Sequence, residues 1–178
     1  KAVLFRKAGP EQVEIVGNIL GNRARIGYAF DLPREQVPEE INRRLRNPQP
    51  VVEISSADAP VHEVILTGDD ADLTKLPVHL QHAMDGGPYI SASVDYACDP
   101  ETGHRNAGIR RMMLRGPKEA GVDLTAPSDL QAIFRKVQAR GERLPISYVV
   151  GSHPIDLLSA SLRLPGDEIE QLAALRGA

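Results

Sequence analysis

The chain has 178 residues, 42% hydrophobic and 25% charged, with a formal net charge of -3. These are the values of an ordinary soluble globular protein, a little long for one typical domain, and the slight acidity argues against a general nucleic-acid binder. No apolar run approaches membrane-spanning length, nothing at the start reads as a signal peptide, and the single Cys98 excludes an internal disulfide and a Cys-rich metal site, so the cytoplasm is the expected location.

In chain order, residues 1–6 read as an interior strand, and residues 13–16 and 25–30 as short strands around a turn over 17–22. Residues 33–46 read as a helix with Val37, Ile41 and Leu45 on one face and Pro38 near its start, where proline is tolerated. Residues 51–54 and 61–66 read as strands, and the polar stretch 69–84 as a long loop. Tyr89, Ser91, Ser93 and Asp95 alternate with Ile90, Ala92, Val94 and Tyr96, the period of a half-buried strand. Asp99-Pro100-Glu101-Thr102-Gly103 has hairpin-loop chemistry, and the returning strand over 106–114 carries Asn106, Arg110 and Arg111. Two adjacent guanidiniums in a sheet are costly unless something anionic meets them. Residues 128–140 read as a helix with Ser128 as N-cap, Gly141 as its stop, and Leu130, Ile133, Phe134 and Val137 as its buried face. A buried strand over 146–150, a short helix from 156 and a helix over 166–176 complete the chain, an α+β pattern.

The order of Asp85-Gly86-Gly87-Pro88-Tyr89-Ile90, the DPETG loop, the Asn106-to-Arg111 strand, Gly151-Ser152-His153-Pro154 and Gly166-Asp167-Glu168 resembles the UbiD-type decarboxylases. The resemblance runs from Leu20 to Gly177, and no single motif carries it alone. It implies a split β-barrel of the flavin-reductase type with flanking helices. Residues 1–48 then form part of an N-terminal α/β region, and 49–178 a flavin-binding domain incomplete at its C-terminal end. It also implies prenylated FMN with Mn or Mg, and K as a further ion, for adding or removing carboxylate on aromatic and unsaturated acids. The family's catalytic acids lie in a downstream region with no match here, so the expectation is a truncated piece or one subunit of a split enzyme, inactive alone. It is expected to pair with itself or with a subunit carrying the missing region. A non-catalytic flavin-binding or assembly subunit is the rival expectation.

The resemblance implies that Asn106 ligates the metal, that Arg111 is catalytic, and that Gly108, Ile109, Arg110, Ser128 and Asp129 line the cofactor. Asn106 and Arg111 lie an odd number of residues apart and face opposite sides of a regular strand; a bulge at Gly108 is the expected device that unites them. Glu168 corresponds to the third metal ligand, and equally reads as a helix N-terminal acid. Asp129 falls where relatives carry a histidine ligand; it is either a hard-oxygen replacement or a first-turn acid. The histidines make no metal pattern, His153 reads as a partner for backbone groups, and Cys98 has no adjacent base. No GxGxxG, GxxxxGK[ST] or GxSxG sequence occurs.

Overall fold

The Asp99–Gly103 loop reverses the chain as its composition predicts. Gly103 takes a left-handed φ of 73°, its N–H donates to Asp99 O at 2.8 Å, and Glu101 N donates to Asp99 Oδ1 at 2.9 Å. In this computed structural model, which describes residues 1–177, the loop joins β3 (Tyr89–Cys98) to β4 (Arg105–Gly116). With β5 (Glu119–Val122) and β6 (Ser147–Val150) they form a four-stranded sheet in the order β5-β4-β3-β6, every pairing antiparallel. Ala178, the last residue of the expected 49–178 unit, lies outside the described residues.

Helix α3 (Asp129–Ala139) starts where Ser128 Oγ accepts from Gln131 N, and it buries Leu130, Ile133 and Val137 with Phe134 half-buried. Its far end is fixed to the β3–β4 turn by Lys136 Nζ on Asp99 Oδ2 at 2.5 Å and Arg140 Nη2 on Glu101 Oε1 at 2.6 Å. A second apolar centre forms among helices distant in sequence. Phe30 of α1 (Arg23–Phe30) and Val37 of α2 (Val37–Leu45) meet Ile155 of α4 (Pro154–Ser159) and Leu175 of α5 (Glu168–Arg176). Arg44 seals it, donating from Nη1 to Leu175 O at 2.6 Å with its guanidinium carbon 5.0 Å above the centre of the Phe30 ring.

Several strand expectations give way. Residues 25–30 are helical because Asn22 Oδ1 caps Ala24 N at 2.7 Å, and Ile26, Ala29 and Phe30 fall at helical spacing toward the core. Residues 51–54 and 61–66 form no strand: no neighbouring strand meets them among the described residues, and Val52, Ile54, Val61, Val64, Ile65 and Leu66 stand exposed. The opening segment is a strand, β1 (Val3–Ala8), as expected; among the described residues it pairs with β2 (Val13–Gly17) and leaves Leu4 and Phe5 exposed. β6 lies at the sheet edge with Val149 and Val150 exposed, not buried. No helix among the described residues is long and apolar enough to cross a membrane.

Candidate functional site

Cross-strand pairs share a face, so the β3–β4 register fixes where each polar side chain on the central hairpin points. Ala97 opposes Asn106, Asp95 opposes Gly108 and Ser93 opposes Arg110, in unbroken register. Asn106, Gly108 and Arg110 therefore share one face with Ser93 and Asp95, and Tyr148 of β6 joins them opposite Asp95. The expected bulge at Gly108 is absent. The irregularity lies on β3, between Ile90 and Ser93, opposite Arg111. Gly108 serves another purpose: a Cβ there would stand 3.1 Å from Asp95 Oδ1, so its bare backbone makes room for that carboxylate. Asn106 and Arg111 thus stay on opposite faces.

The N-terminal half of β4 has β3 on one side and, among the described residues, no strand on the other. The first turn of α5 fills that side with carboxylates. Asp167 Oδ2 accepts from Arg105 N at 3.1 Å and from Arg105 Nε at 2.9 Å, and Asp167 Oδ1 caps α5 by accepting from Ile169 N and Glu170 N. Glu168 Oε2 accepts from Ala107 N at 2.6 Å, which sets it beside Asn106. Burial raises the Glu168 carboxyl above its ordinary value against the pull of the Ala107 N–H, and the Asp129 charge raises it further. Asp129 is exposed in the first turn of α3, while Ser128 does the capping.

Asp95 is fully buried, with Oδ1 3.2 Å from Arg110 Nε, yet neither of its oxygens accepts a well-directed hydrogen bond among the described residues. Burial pushes its carboxyl up to about 6, although the Arg110 guanidinium opposes the rise. Arg110 Nη2 reaches Ser128 Oγ at 3.4 Å, tying the pair to the start of α3. The sequence reading missed Asp95. Its signal was available: counting equal steps outward from the hairpin turn sets an acid opposite a glycine and two pairs from Arg110, on the same face.

On the other face, Arg111 lines a cavity of about 430 Å³ with Tyr89, Met113 and Arg115. Ile109, expected against a cofactor, is partly exposed on the Arg111 side of the strand. His153 Nδ1 accepts from Ile155 N at 3.2 Å and caps α4, the backbone role its position suggests.

Among the described residues no three His, Cys, Asp or Glu side chains cluster as metal ligands, so any metal set here needs the Asn106 amide. Asn106, Glu168 and Asp129 would offer oxygen donors, two carboxylates and an amide, a set whose chemistry suits Mg²⁺ or Mn²⁺.

The profile of the UbiD family, 3-octaprenyl-4-hydroxybenzoate carboxy-lyase Rift-related domain, matches residues 52–178. Anhydromevalonate phosphate decarboxylase of Methanosarcina mazei is 34% identical over 177 residues, covering 98% of this chain and 40% of that protein. The UbiD-class enzyme HmfF of Pelotomaculum thermopropionicum, solved as an evolved dimeric form in complex with prFMN, superposes with a TM-score of 0.85 at 36% identity, over 98% of this chain and 41% of its own. The closed form of Sedimentibacter hydroxybenzoicus vanillic acid decarboxylase superposes with a TM-score of 0.90 at 26% identity, over 99% of this chain and 39% of its own. The chain spans about two fifths of the length of these relatives. It belongs to the UbiD carboxy-lyase family.

Proposed function

We propose that this chain is the cofactor-facing part of a UbiD-type (de)carboxylase acting on an aromatic or α,β-unsaturated carboxylic acid with prenylated FMN and a divalent metal. The observation that carries the reading is Glu168 held on the Ala107 amide, next to Asn106 and within reach of the Asp129 charge. Asn106, Asp129 and Glu168 would hold Mn²⁺ or Mg²⁺ against the flavin phosphate, with K⁺ as a further ion. Gly108, Arg110 and Ser128 would line the cofactor from the Asn106 face, with Ile109 reaching it only from the Arg111 face; the HmfF neighbour was solved with prFMN, which supports a flavin for this fold. Prenylated FMN would supply the electron sink that decarboxylation requires.

The chain's own residues hold and orient. Ala107 N–H fixes one oxygen of Glu168 and leaves the other for a cation. Arg111 grips the substrate carboxylate as a two-point fork. At ~3.4 Å per residue Arg111 lies ~17 Å along β4 from Asn106, so the two serve opposite ends of a long assembly.

The antiparallel sheet belongs, in this reading, to a split barrel of the flavin-reductase type that other parts of the protein complete. We set the family boundary near residues 48 and 49; it separates sequence units that share one core, since α1 and α2 pack on α4 and α5. The reducing cytoplasm suits the exposed, unpaired Cys98. Self-association, or pairing with a subunit that carries a protonating acid, would complete the catalyst. A non-catalytic flavin-binding or assembly subunit is the second reading, and Asp129 in place of histidine favours it.

Titrating the chain with FMN, with and without Mn²⁺, tests the clamp. Mn²⁺ is expected to tighten FMN retention by about tenfold or more, and Asn106→Ala or Glu168→Gln to remove that gain. FMN binding indifferent to Mn²⁺ would overturn it. In the complete enzyme, Arg111→Ala is expected to abolish turnover while FMN retention persists.

A further inference from the structure

The cavity on the Arg111 face contains a second guanidinium to which nothing above assigns a role. Arg111 and Arg115 both line it, and neither makes an ion pair or side-chain hydrogen bond among the described residues. The cavity's acids are already occupied. Asp85 Oδ2 accepts from His82 N at 2.9 Å, and Asp123 Oδ1 accepts from Thr125 N at 2.8 Å. Each aspartate keeps its charge, and that of Asp123 acts on Arg111, so the formal charge of the lining balances; what stays unmet is the N–H donors of the two guanidiniums, beside Tyr89 and Met113.

Arg115 sits at the register shift of β4 between Leu114 and Gly116, where strict alternation is broken, yet it lines the same cavity as Arg111, with the two Cα atoms up to ~13 Å apart. Gly121 closes part of that gap. It pairs with Met113, midway between the two arginines, and a Cβ on it would stand 2.8 Å from Arg115 Nε and 3.0 Å from Cζ and Nη2. Any side chain at 121 would displace the guanidinium. Arg115 therefore lies folded back over bare backbone toward Arg111, and Gly121 is what permits it.

We propose that this cavity is a dianion site: Arg111 takes one carboxylate and Arg115 a second acidic group, carboxylate or phosphate, on the same flat or apolar body. The proposal rests on the decarboxylase reading and narrows its substrates to acids with a second anionic group. Arg115 is then the specificity residue, with Gly121 as its cradle.

The test titrates the chain with benzoate, terephthalate and 4-phosphonobenzoate, following the Arg Nε–Hε signals by NMR, and compares wild type with Arg115→Gln and Gly121→Ala. A charge-assisted fork predicts that the dianions bind about tenfold or more tighter than benzoate, with the Arg111 and Arg115 signals both moving. Arg115→Gln is expected to erase that preference. Gly121→Ala is expected to shrink it without removing any charge. Preference for terephthalate alone assigns the second group as carboxylate, and preference for the phosphonate alone assigns it as phosphate. Equal affinities for all three acids, no binding of any, or a preference that survives Arg115→Gln overturns the proposal. The FMN and Mn²⁺ titration on the same samples reports the clamp separately, so a normal FMN response with no dianion preference sinks this site alone.

Discussion

Asp95 is the residue most at odds with its surroundings: a fully buried carboxyl beside Arg110 with no well-directed donor of its own. With its value pushed up from 3.8 to about 6, the folded protein holds this proton more tightly than the unfolded chain does. Stability from this group is therefore greatest below about pH 4 and declines as pH rises through about 6, by on the order of 2–3 kcal/mol. Melting curves from pH 4 to 7.5 are expected to show wild type losing ground to Asp95→Asn as pH rises. The Asn variant leaves Arg110 without its counter-charge at every pH, so the slope of the difference carries the test, not its offset. A pH-independent difference counts against the burial argument.

At the scale of elements, the first turn of α5 acts as a substitute strand along β4. Asp167→Ala removes the α5 cap and both bonds to Arg105, a loss of about 2 kcal/mol in urea unfolding. Hydrogen exchange is expected to speed up at the Arg105 and Ala107 amides while the β3–β4 pairs farther from α5 stay protected; unchanged protection would refute the substitute-strand role. Much of this level was legible in the sequence. The Pro-then-Gly loop, the Ser128 cap and the apolar spacing of α3 are local signals, and they place a hairpin and a helix correctly. The failures share a different cause. Residues 25–30 carry Ile26, Tyr28, Ala29 and Phe30, a spacing that fits period two (26, 28, 30) and period four (26, 30) alike, and the Asn22 cap decides between them. Residues 51–66 carry strand-forming Val and Ile without a partner, and strands are made by pairing, which no local signal encodes. Gly108 was correctly read as special, but its reason, the Asp95 carboxylate, sits on another strand. Glu168 was legible only through the family likeness, because its bond to Ala107 spans 61 residues.

Taken whole, the molecule concentrates exposed apolar side chains on two stretches among others: Leu4, Phe5 and Val16 on the β1–β2 hairpin, and Val52, Ile54, Val61, Val64, Ile65 and Leu66 on the segment before the loop. Patches of this kind favour association. Light scattering across a hundredfold range of concentration is expected to show assembly beyond the monomer, reduced by a Val64→Glu, Ile65→Glu double variant. A constant monomer mass throughout would rule it out. Asn106 and Arg111 occupy opposite faces of one hairpin, so a substitution on the Arg111 side, such as Arg115→Gln, leaves the Asn106–Glu168 side a clean internal control.

The Arg44 bond to Leu175 O also has a kinetic meaning. Its partners lie 131 residues apart, and α1 and α2 bury Phe30 and Val37 only against helices from the far end of the chain. Contacts of such long sequence separation form late, because loop closure must precede them. On the ribosome the first two helices emerge early and remain without a core until residues 155–175 follow. Meanwhile the hairpin of β3 and β4, with its local turn, is free to form first. Phe30 and Val37, covered in the folded protein by Ile155 and Leu175, spend that interval uncovered, which makes synthesis a stage at which this chain is open to aggregation and to chaperone capture.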